Sequence, residues 1–317
     1  MQHSTPDSQQ ILEARKRIEP YVHRTPVLSS MLIDQWIDNH LFFKCENFQK
    51  AGAFKSRGAV NSLLMLSPEE RKKGVATHSS GNHAQALARA AQLFNVPAYV
   101  VMPDNSPQVK IAAVRAYGGK ITFCEPTLAA RESTLAQVIK STQATEIHPY
   151  DNYQVITGQA TAAAELLEQS PELDLILCPV GGGGLLSGTA LSSAYFSPNT
   201  KVIACEPAGA DDAYRSFKAG SIIPSVEPKT MADGLLTSLG VRNFPIIQKY
   251  VSQIVTVSEE GIVAAMRLIY ERMKIVVEPS SAVPLAALLE GKIKANKFNI
   301  GIILSGGNVD LAKLPFK

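Results

Sequence analysis

Lys55 lies in Asn47-Phe48-Gln49-Lys50-Ala51-Gly52-Ala53-Phe54-Lys55-Ser56-Arg57-Gly58-Ala59, a polar turn containing glycine. Ahead of it runs an apolar, aromatic-rich strand candidate, 41–46. Behind it Val60, Leu63, Leu64 and Leu66 recur at helical spacing. A strand, a turn and a lysine at a helix start make a shelf on which an amine can face a ligand. A lone lysine in such a place is ordinarily a solvated helix start, because lysine is rarely buried. What argues otherwise is company: three more glycine-rich or polar motifs follow, each after an apolar run.

The first is Gly181-Gly182-Gly183-Gly184, between the strand candidate 174–180 and the helix candidate 185–195. Successive glycines let backbone N–H groups converge without Cβ atoms in the way, and the helix start adds partial positive charge. That describes a phosphate cradle. It is not a Walker A loop, since no Lys-Ser/Thr follows. A dinucleotide site stays open, because Glu206 ends the next strand about twenty residues on, where a ribose acid would sit. Tight packing alone stays open too. The second motif, Thr77-His78-Ser79-Ser80-Gly81-Asn82-His83, turns from strand to helix and offers Ser80 and Asn82 to a ligand. An ordinary capping loop would account for one of its serines. His78 and His83 are five apart, not the four of a helical metal pair. The third, Ser305-Gly306-Gly307-Asn308, puts a hydroxyl at the carboxyl end of the last strand, or merely reverses the chain. Beside these, Glu206, Asp211 and Asp212 gather after a strand, as Mg²⁺ or Ca²⁺ would need and as a solvated acidic turn would also show.

The elements that must position these residues alternate. Helices are expected at 8–21, 31–37, 84–94, 109–117, 128–142, 158–169, 185–195, 258–274 and 283–290. Strands are expected at 41–46, 74–77, 97–102, 120–124, 174–180, 201–205, 254–257 and 299–304. Strands separated by helices of this length mean parallel sheets with crossover helices on their faces, a doubly wound α/β protein. Periodicity does not give the strand order. At 317 residues the chain suits two lobes, with 74–148 a small lobe inserted into a larger one of 1–73 and 149–317. The apolar share is 45%, the charged share 19% and the net charge +3, which describes a soluble globular protein without a nucleic-acid face. Arg71-Lys72-Lys73, just before Gly74, reads as a helix C-terminus. The polar N-terminus has no signal-peptide core, and no run reaches the roughly eighteen apolar residues of a membrane helix. Cys45, Cys124, Cys178 and Cys205 stand far apart and read as free thiols in a reducing, cytoplasmic setting.

Ala53 to Gly58, Ser79 to His83, Gly181 to Gly184 and Ser305 to Asn308, together and in this order, resemble the pyridoxal-phosphate enzymes of the tryptophan-synthase-β type, fold type II. Within them the chain is most similar to serine racemases and to serine, threonine and 3-hydroxyaspartate dehydratases. The likeness runs from Arg24 to Asp310 and implies a two-lobed α/β fold, each lobe a mainly parallel sheet flanked by helices. It implies that Lys55 holds pyridoxal 5'-phosphate covalently, with Phe54 and Leu185 beside it. Gly181, Gly182, Gly183 and Gly184 would take the phosphate, Asn82 the phenolic oxygen and Ser305 the ring nitrogen. Ser80 would stand on the face opposite Lys55. Ser79, Ser80, Gly81, Asn82 and His83 would bind the substrate carboxylate. Arg131 would meet a distal carboxylate, or else pair on the surface with Glu132 or Glu125. Glu206, the Ala210 carbonyl and Asp212 match a site for Mg²⁺, or Ca²⁺ or Mn²⁺. Lys50, Gln85, Tyr117, Arg272, Lys274 and Asn308 match the site of an activating nucleotide such as ATP. A homodimer is implied as well.

The resemblance also narrows the chemistry. Seven residues follow Asp310, no room for the regulatory domain of the biosynthetic threonine dehydratases. In Ala232-Asp233-Gly234-Leu235-Leu236-Thr237-Ser238, Thr237 replaces the first serine of a pair found in many racemases. The expectation is therefore that Lys55, with its pKa lowered by poor solvation, takes the Cα proton and that β-elimination dominates. L-Serine, L-threonine or L-threo-3-hydroxyaspartate would give the 2-oxo acid and ammonia. Reprotonation by Ser80 would give racemisation, the alternative. A different class, a non-catalytic binder or a dinucleotide enzyme, would carry no cofactor on Lys55.

Overall fold

The structure is a computed structural model that describes residues 4–106 and 108–316, so the first three residues of the polar N-terminus lie outside it. Its strands are β1 (Val27–Leu28), β2 (His40–Cys45), β3 (Val75–His78), β4 (Ala98–Pro103), β5 (Lys120–Cys124), β6 (Thr145–Glu146), β7 (Leu175–Pro179), β8 (Lys201–Pro207), β9 (Gln253–Val257) and β10 (Asn299–Leu304). They form two sheets, β1-β2-β10-β7-β8-β9 and β5-β4-β3-β6. Every pairing is parallel except β1 with β2. This is the two-lobed α/β architecture, with the chain from β3 to β6 making the smaller sheet.

The last strand occupies the middle of the larger sheet, between β2 and β7. Covered on both faces, it needs apolar residues at every position rather than alternating ones. Ile300, Ile302, Ile303 and Leu304 are accordingly all buried. The registers Leu304↔Cys45, Ile302↔Leu177 and Pro179↔Cys205 make the strands finish together. The loops holding Lys55, Gly181, Glu206 and Ser305 therefore leave one edge of one sheet. In the smaller sheet, His78 pairs with Val101 and delivers Ser79 and Ser80 from the carboxyl end of β3.

Several boundaries differ from expectation for local reasons. The first helix stops at Ile18, two residues before Pro20. Asn152 accepts from the N–H groups of Gln154 and Val155 and starts its helix at Tyr153, five residues early. Pro279 opens another helix four residues early, in the first turn where no N–H partner is needed. The helix begun at Glu259 is regular to Leu268 and widens into a π turn at Ile269–Met273.

The Lys55–Leu64 helix is fixed from below by buried ions. The guanidinium of Arg57 donates to both oxygens of Glu46 (2.7 and 2.8 Å) and to both of Glu165 (2.7 and 2.8 Å). Lys44 Nζ adds a bond of 2.7 Å to Glu165 and another to Gln169. Burial alone would raise the Glu165 carboxyl, but Arg57 and Lys44 hold it below the usual range. Two cations face two anions, so the cluster is neutral only when complete. Glu165→Ala should therefore lower stability by about 3–5 kcal/mol, measured by urea unfolding, since it leaves one buried positive charge uncompensated.

Candidate active site

Lys55 is the first residue of its helix, and its Nζ donates to the Pro149 carbonyl at 2.9 Å. The side chain keeps part of its surface open to the cleft, but the packing around Nζ pushes its pKa down to about 8, against a smaller upward pull from Glu278. An amine so placed is neutral for an appreciable fraction of the time near neutral pH, as a base or nucleophile must be. The Phe54 ring lies 5.0 Å from Nζ. The Phe54 N–H donates to the Ser305 carbonyl at 3.0 Å, bringing the lysine turn beside the end of β10. Ser305 Oγ lies 3.2 Å from Ser281 Oγ.

Gly181, Gly182, Gly183 and Gly184 are all buried where β7 turns into the helix Gly184–Phe196. A Cβ on Gly182 would lie 2.4 Å from the Tyr150 ring, so only glycine lets that ring settle on the loop. Gly183 takes φ +90, a conformation L side chains avoid. Leu185 follows, buried. Four side-chain-free positions at a helix start fit a phosphate group well.

Asn82 opens the helix Asn82–Leu93, whose first N–H groups have no partner within the helix. Ser79, Ser80 and Gly81 lead into it with part of their surface open, and the Gly81 N–H donates to Ser79 Oγ at 3.3 Å. Asn82 Nδ2 donates to both carboxylate oxygens of Glu278 (2.9 and 3.0 Å), and its Oδ1 accepts from Asn308 Nδ2 at 2.9 Å. His83 Nε2 donates to the Ile147 carbonyl at 3.0 Å, which commits the ring to the backbone. Burial pushes His83 down to about 3 and His148 to about 4, so both rings are neutral. His78, His148 and Tyr150 form a ladder of edge-on rings, 5.8 and 4.6 Å between centroids, running from the smaller sheet to the glycine loop. Beside it, Arg131 lowers the His78 pKa after burial has done so, and its own Nε is buried without a partner.

Glu206 ends β8 and accepts from the N–H groups of Ala213 and Tyr214, both at 2.9 Å. Burial lifts its carboxyl to about 8 and that of Asp212 to about 6. Both Asp212 oxygens are buried without a well-formed hydrogen bond, though Ser225 and the Leu239 backbone lie close enough to offset part of the rise. No cluster of three or more His, Cys, Asp or Glu suited to a metal occurs among the described residues. Of the nucleotide set, Asn308 also donates to the Ala51 carbonyl at 2.8 Å, next to Lys50. Gln85 and Tyr117 are at least partly buried in the smaller lobe. Arg272 lies over Trp36, 5.3 Å from the ring centroid, and Lys274 ends the π turn with φ +59.

The family described as pyridoxal-phosphate dependent enzyme matches residues 18–306. This chain belongs to that family, in its fold-type-II branch. It is 51% identical to the serine racemase of Dictyostelium discoideum over 96% of this chain and 95% of that one. It is 50% identical to the beta-hydroxyaspartate dehydratase of Paracoccus denitrificans, covering 98% and 99%. The maize serine racemase structure superposes with a TM-score of 0.96 at 47% identity, covering 98% and 96%. The pyridoxal-phosphate enzyme read from four motifs is thus a pyridoxal-phosphate enzyme, with racemisation and β-elimination of serine-, threonine- and aspartate-like amino acids as its chemistry at family level.

Sequence reasoning missed Glu278, Tyr150 and Pro149. Glu278 precedes a proline and resembles a helix-capping residue, while the Pro149 contribution is a backbone carbonyl and leaves no side-chain signal. Burial pushes Glu278 up to about 7, partly offset by the Asn82 amide, with Asp233 raising it and Lys110 lowering it. A carboxyl raised above its unfolded value contributes stability in acid that is lost as pH climbs from about 4.5 through about 7. Glu278→Gln, melted without cofactor, should flatten that part of the profile and exceed the parent protein in melting temperature at about pH 8. A variant less stable than the parent there would contradict the assignment.

Proposed function

We propose that this enzyme acts on small β-hydroxy amino acids and performs two reactions at one site, inversion at Cα and loss of the β-hydroxyl. The observation that carries the reading is the Lys55 amine, screened from water, lowered in pKa and bonded only to a neutral carbonyl. Lys55, the glycine loop, Asn82 and Ser305 would hold pyridoxal phosphate, which would supply the electron withdrawal that makes the Cα proton acidic. Lys55, set free when the substrate amine takes its place, would take that proton as a neutral amine. Ser80 returns one from the opposite face in inversion, and a substrate that sheds its hydroxyl first is eliminated. Ser305, a neutral partner, adds no charge beside the ring nitrogen. The N–H groups around Ser79 to His83 suit the substrate carboxylate.

For serine, the relatives named serine racemase support inversion as the main reaction, against the expectation that elimination dominates. A second reading, elimination from 3-hydroxyaspartate, is favoured by the unpartnered Arg131 Nε and by the Paracoccus relative. Incubating the protein with L-serine and with L-threo-3-hydroxyaspartate, and measuring D-serine and oxo acid in each sample, tests both. D-Serine should outpace pyruvate, and hydroxyaspartate should give oxo acid. Arg131→Met should raise KM for hydroxyaspartate about tenfold more than for serine, the loss of one charged hydrogen bond. Lys55→Ala should abolish all turnover, and residual turnover at the parent rate would end the reading.

Buried Glu206 and Asp212 with the Ala210 carbonyl suit a divalent cation, since a cation would neutralise carboxylates that burial otherwise forces to hold protons. Mg²⁺ should raise the melting temperature, more at about pH 8 than at about pH 6 because those protons must leave first, and Glu206→Gln should remove the effect. Met31 and Trp36, 72% and 57% exposed on one short helix with Arg272 against Trp36, support a homodimer face. The adjacency of Lys50 and Asn308 supports an ATP-type activator. Residues 74–148 are taken as the small lobe. Four free cysteines support a reducing, cytoplasmic setting, and no described helix is long and apolar enough to cross a membrane.

A further inference from the structure

The glycine loop does not hold its own shape. Gly182 presents its carbonyl to two donors on the side of the loop formed by residues 240–243, the Gly240 N–H at 3.1 Å and Asn243 Nδ2 at 3.0 Å. The second hydrogen of the same Asn243 amide reaches the Tyr150 carbonyl at 3.1 Å. Asn243 is fully buried, and Gly240 lies so close that a Cβ there would meet Asn243 Nδ2 at 2.6 Å and Asp151 Oδ1 at 2.7 Å. Asp151 in turn accepts from the Arg242 N–H at 2.7 Å and pairs with its guanidinium at 3.2 Å. The segment 240–243 thus grips both the loop and the chain returning from the smaller lobe.

From this geometry we infer that Asn243 is a positioning residue that aims the phosphate cradle and ties it to Lys55. In a trans peptide the C=O of one residue and the N–H of the next point in opposite directions. Two donors pulling the Gly182 carbonyl toward Asn243 therefore turn the Gly183 N–H the other way, away from Asn243. Glycines have no side chain to fix that peptide plane, and without the amide only the Gly240 N–H would hold it. By holding Tyr150 as well, the amide keeps the ring on Gly182 and keeps the neighbouring Pro149 carbonyl where Lys55 Nζ finds it. One side chain then sets both the anion cradle and the lysine's acceptor. The inference rests on the reading that this loop takes the cofactor phosphate.

The test compares pyridoxal phosphate with pyridoxal, which lacks the phosphate, by equilibrium dialysis against the full-length protein stripped of cofactor. The unsubstituted protein should prefer pyridoxal phosphate. Asn243→Ala should weaken pyridoxal phosphate about tenfold, equivalent to about 1.4 kcal/mol, and pyridoxal far less, so that the preference shrinks. Asn243→Asp, which keeps the shape and loses both donors, should do the same. Gly240→Ala, which displaces the amide without removing it, carries the test if the Asn243 variants do not fold. A merely structural role would lower melting temperature and weaken both ligands equally, and that result overturns the proposal. Equal affinity of the unsubstituted protein for the two ligands would remove the phosphate from the loop, overturning the underlying reading and the proposal with it.

Discussion

A lysine amine serves as a base only when it is neutral near the working pH, so water must be kept from it without a carboxylate taking water's place. Around Lys55 the structure meets both demands. The acceptor of Nζ is the Pro149 carbonyl, which carries no charge, and burial outweighs the attraction of Glu278. Glu278 is itself lifted to about 7, so it is protonated for much of the time and pulls less on the amine. The same burial keeps His83 and His148 neutral. The cleft therefore holds few fixed charges, and those that enter it feel each other through less screening than in water. Arg131, beside His78, has an Nε buried without a hydrogen-bonded partner.

That environment depends on Lys55 being carried by something rigid. Its helix is anchored through Arg57 to Glu46 and Glu165, groups on two other elements, and the buried carboxylates cannot relax into water if the register slips. The insertion of β10 in mid-sheet does the rest, because its end abuts the lysine turn through the Phe54–Ser305 bond and the bridge from Ala53 to Gly306. A strand at Asn299–Leu304 thus fixes a group near residue 55, so the site needs two segments about 250 residues apart to pair.

How much of this was legible in the sequence follows from what kind of signal each part leaves. Lys55, the four glycines and Ser79 to His83 each sit between an apolar run and a helix, Ser305 ends the last apolar run, and strand-end motifs of this kind gather at the same end of a sheet whose strands are parallel. That Lys55, the glycines and Ser305 gather at the carboxyl ends of strands was readable in outline, yet the order β2-β10-β7 was not, because an all-apolar strand looks the same in the middle of a sheet as beside it. The Tyr153–Gln169 helix begins earlier than periodicity implies because Asn152 caps it, a matter of one side chain's geometry. Glu278, Tyr150 and Asn243 were invisible for a related reason. Each acts through what it touches across the fold, at separations of sixty residues or more from Gly182 or Asn82 in two cases, and no local pattern marks them. The raised Glu206 and Asp212 carboxyls are likewise products of burial and not of composition.

The five residues from Ile147 to Asp151 tie the smaller sheet to the larger one. Here the chain leaves β6 and returns to the larger lobe, and almost every group turns to the site. The Ile147 carbonyl holds His83, His148 receives the N–H of Asp151, and Pro149 receives Lys55. Tyr150 lies on Gly182, and Asp151 is clasped by Arg242. Lys110 of the smaller lobe pairs with Asp233 of the larger one across the cleft. The segment that carries the chain from β6 back to the larger sheet is thus the same one that holds His83, the Lys55 amine and the glycine loop.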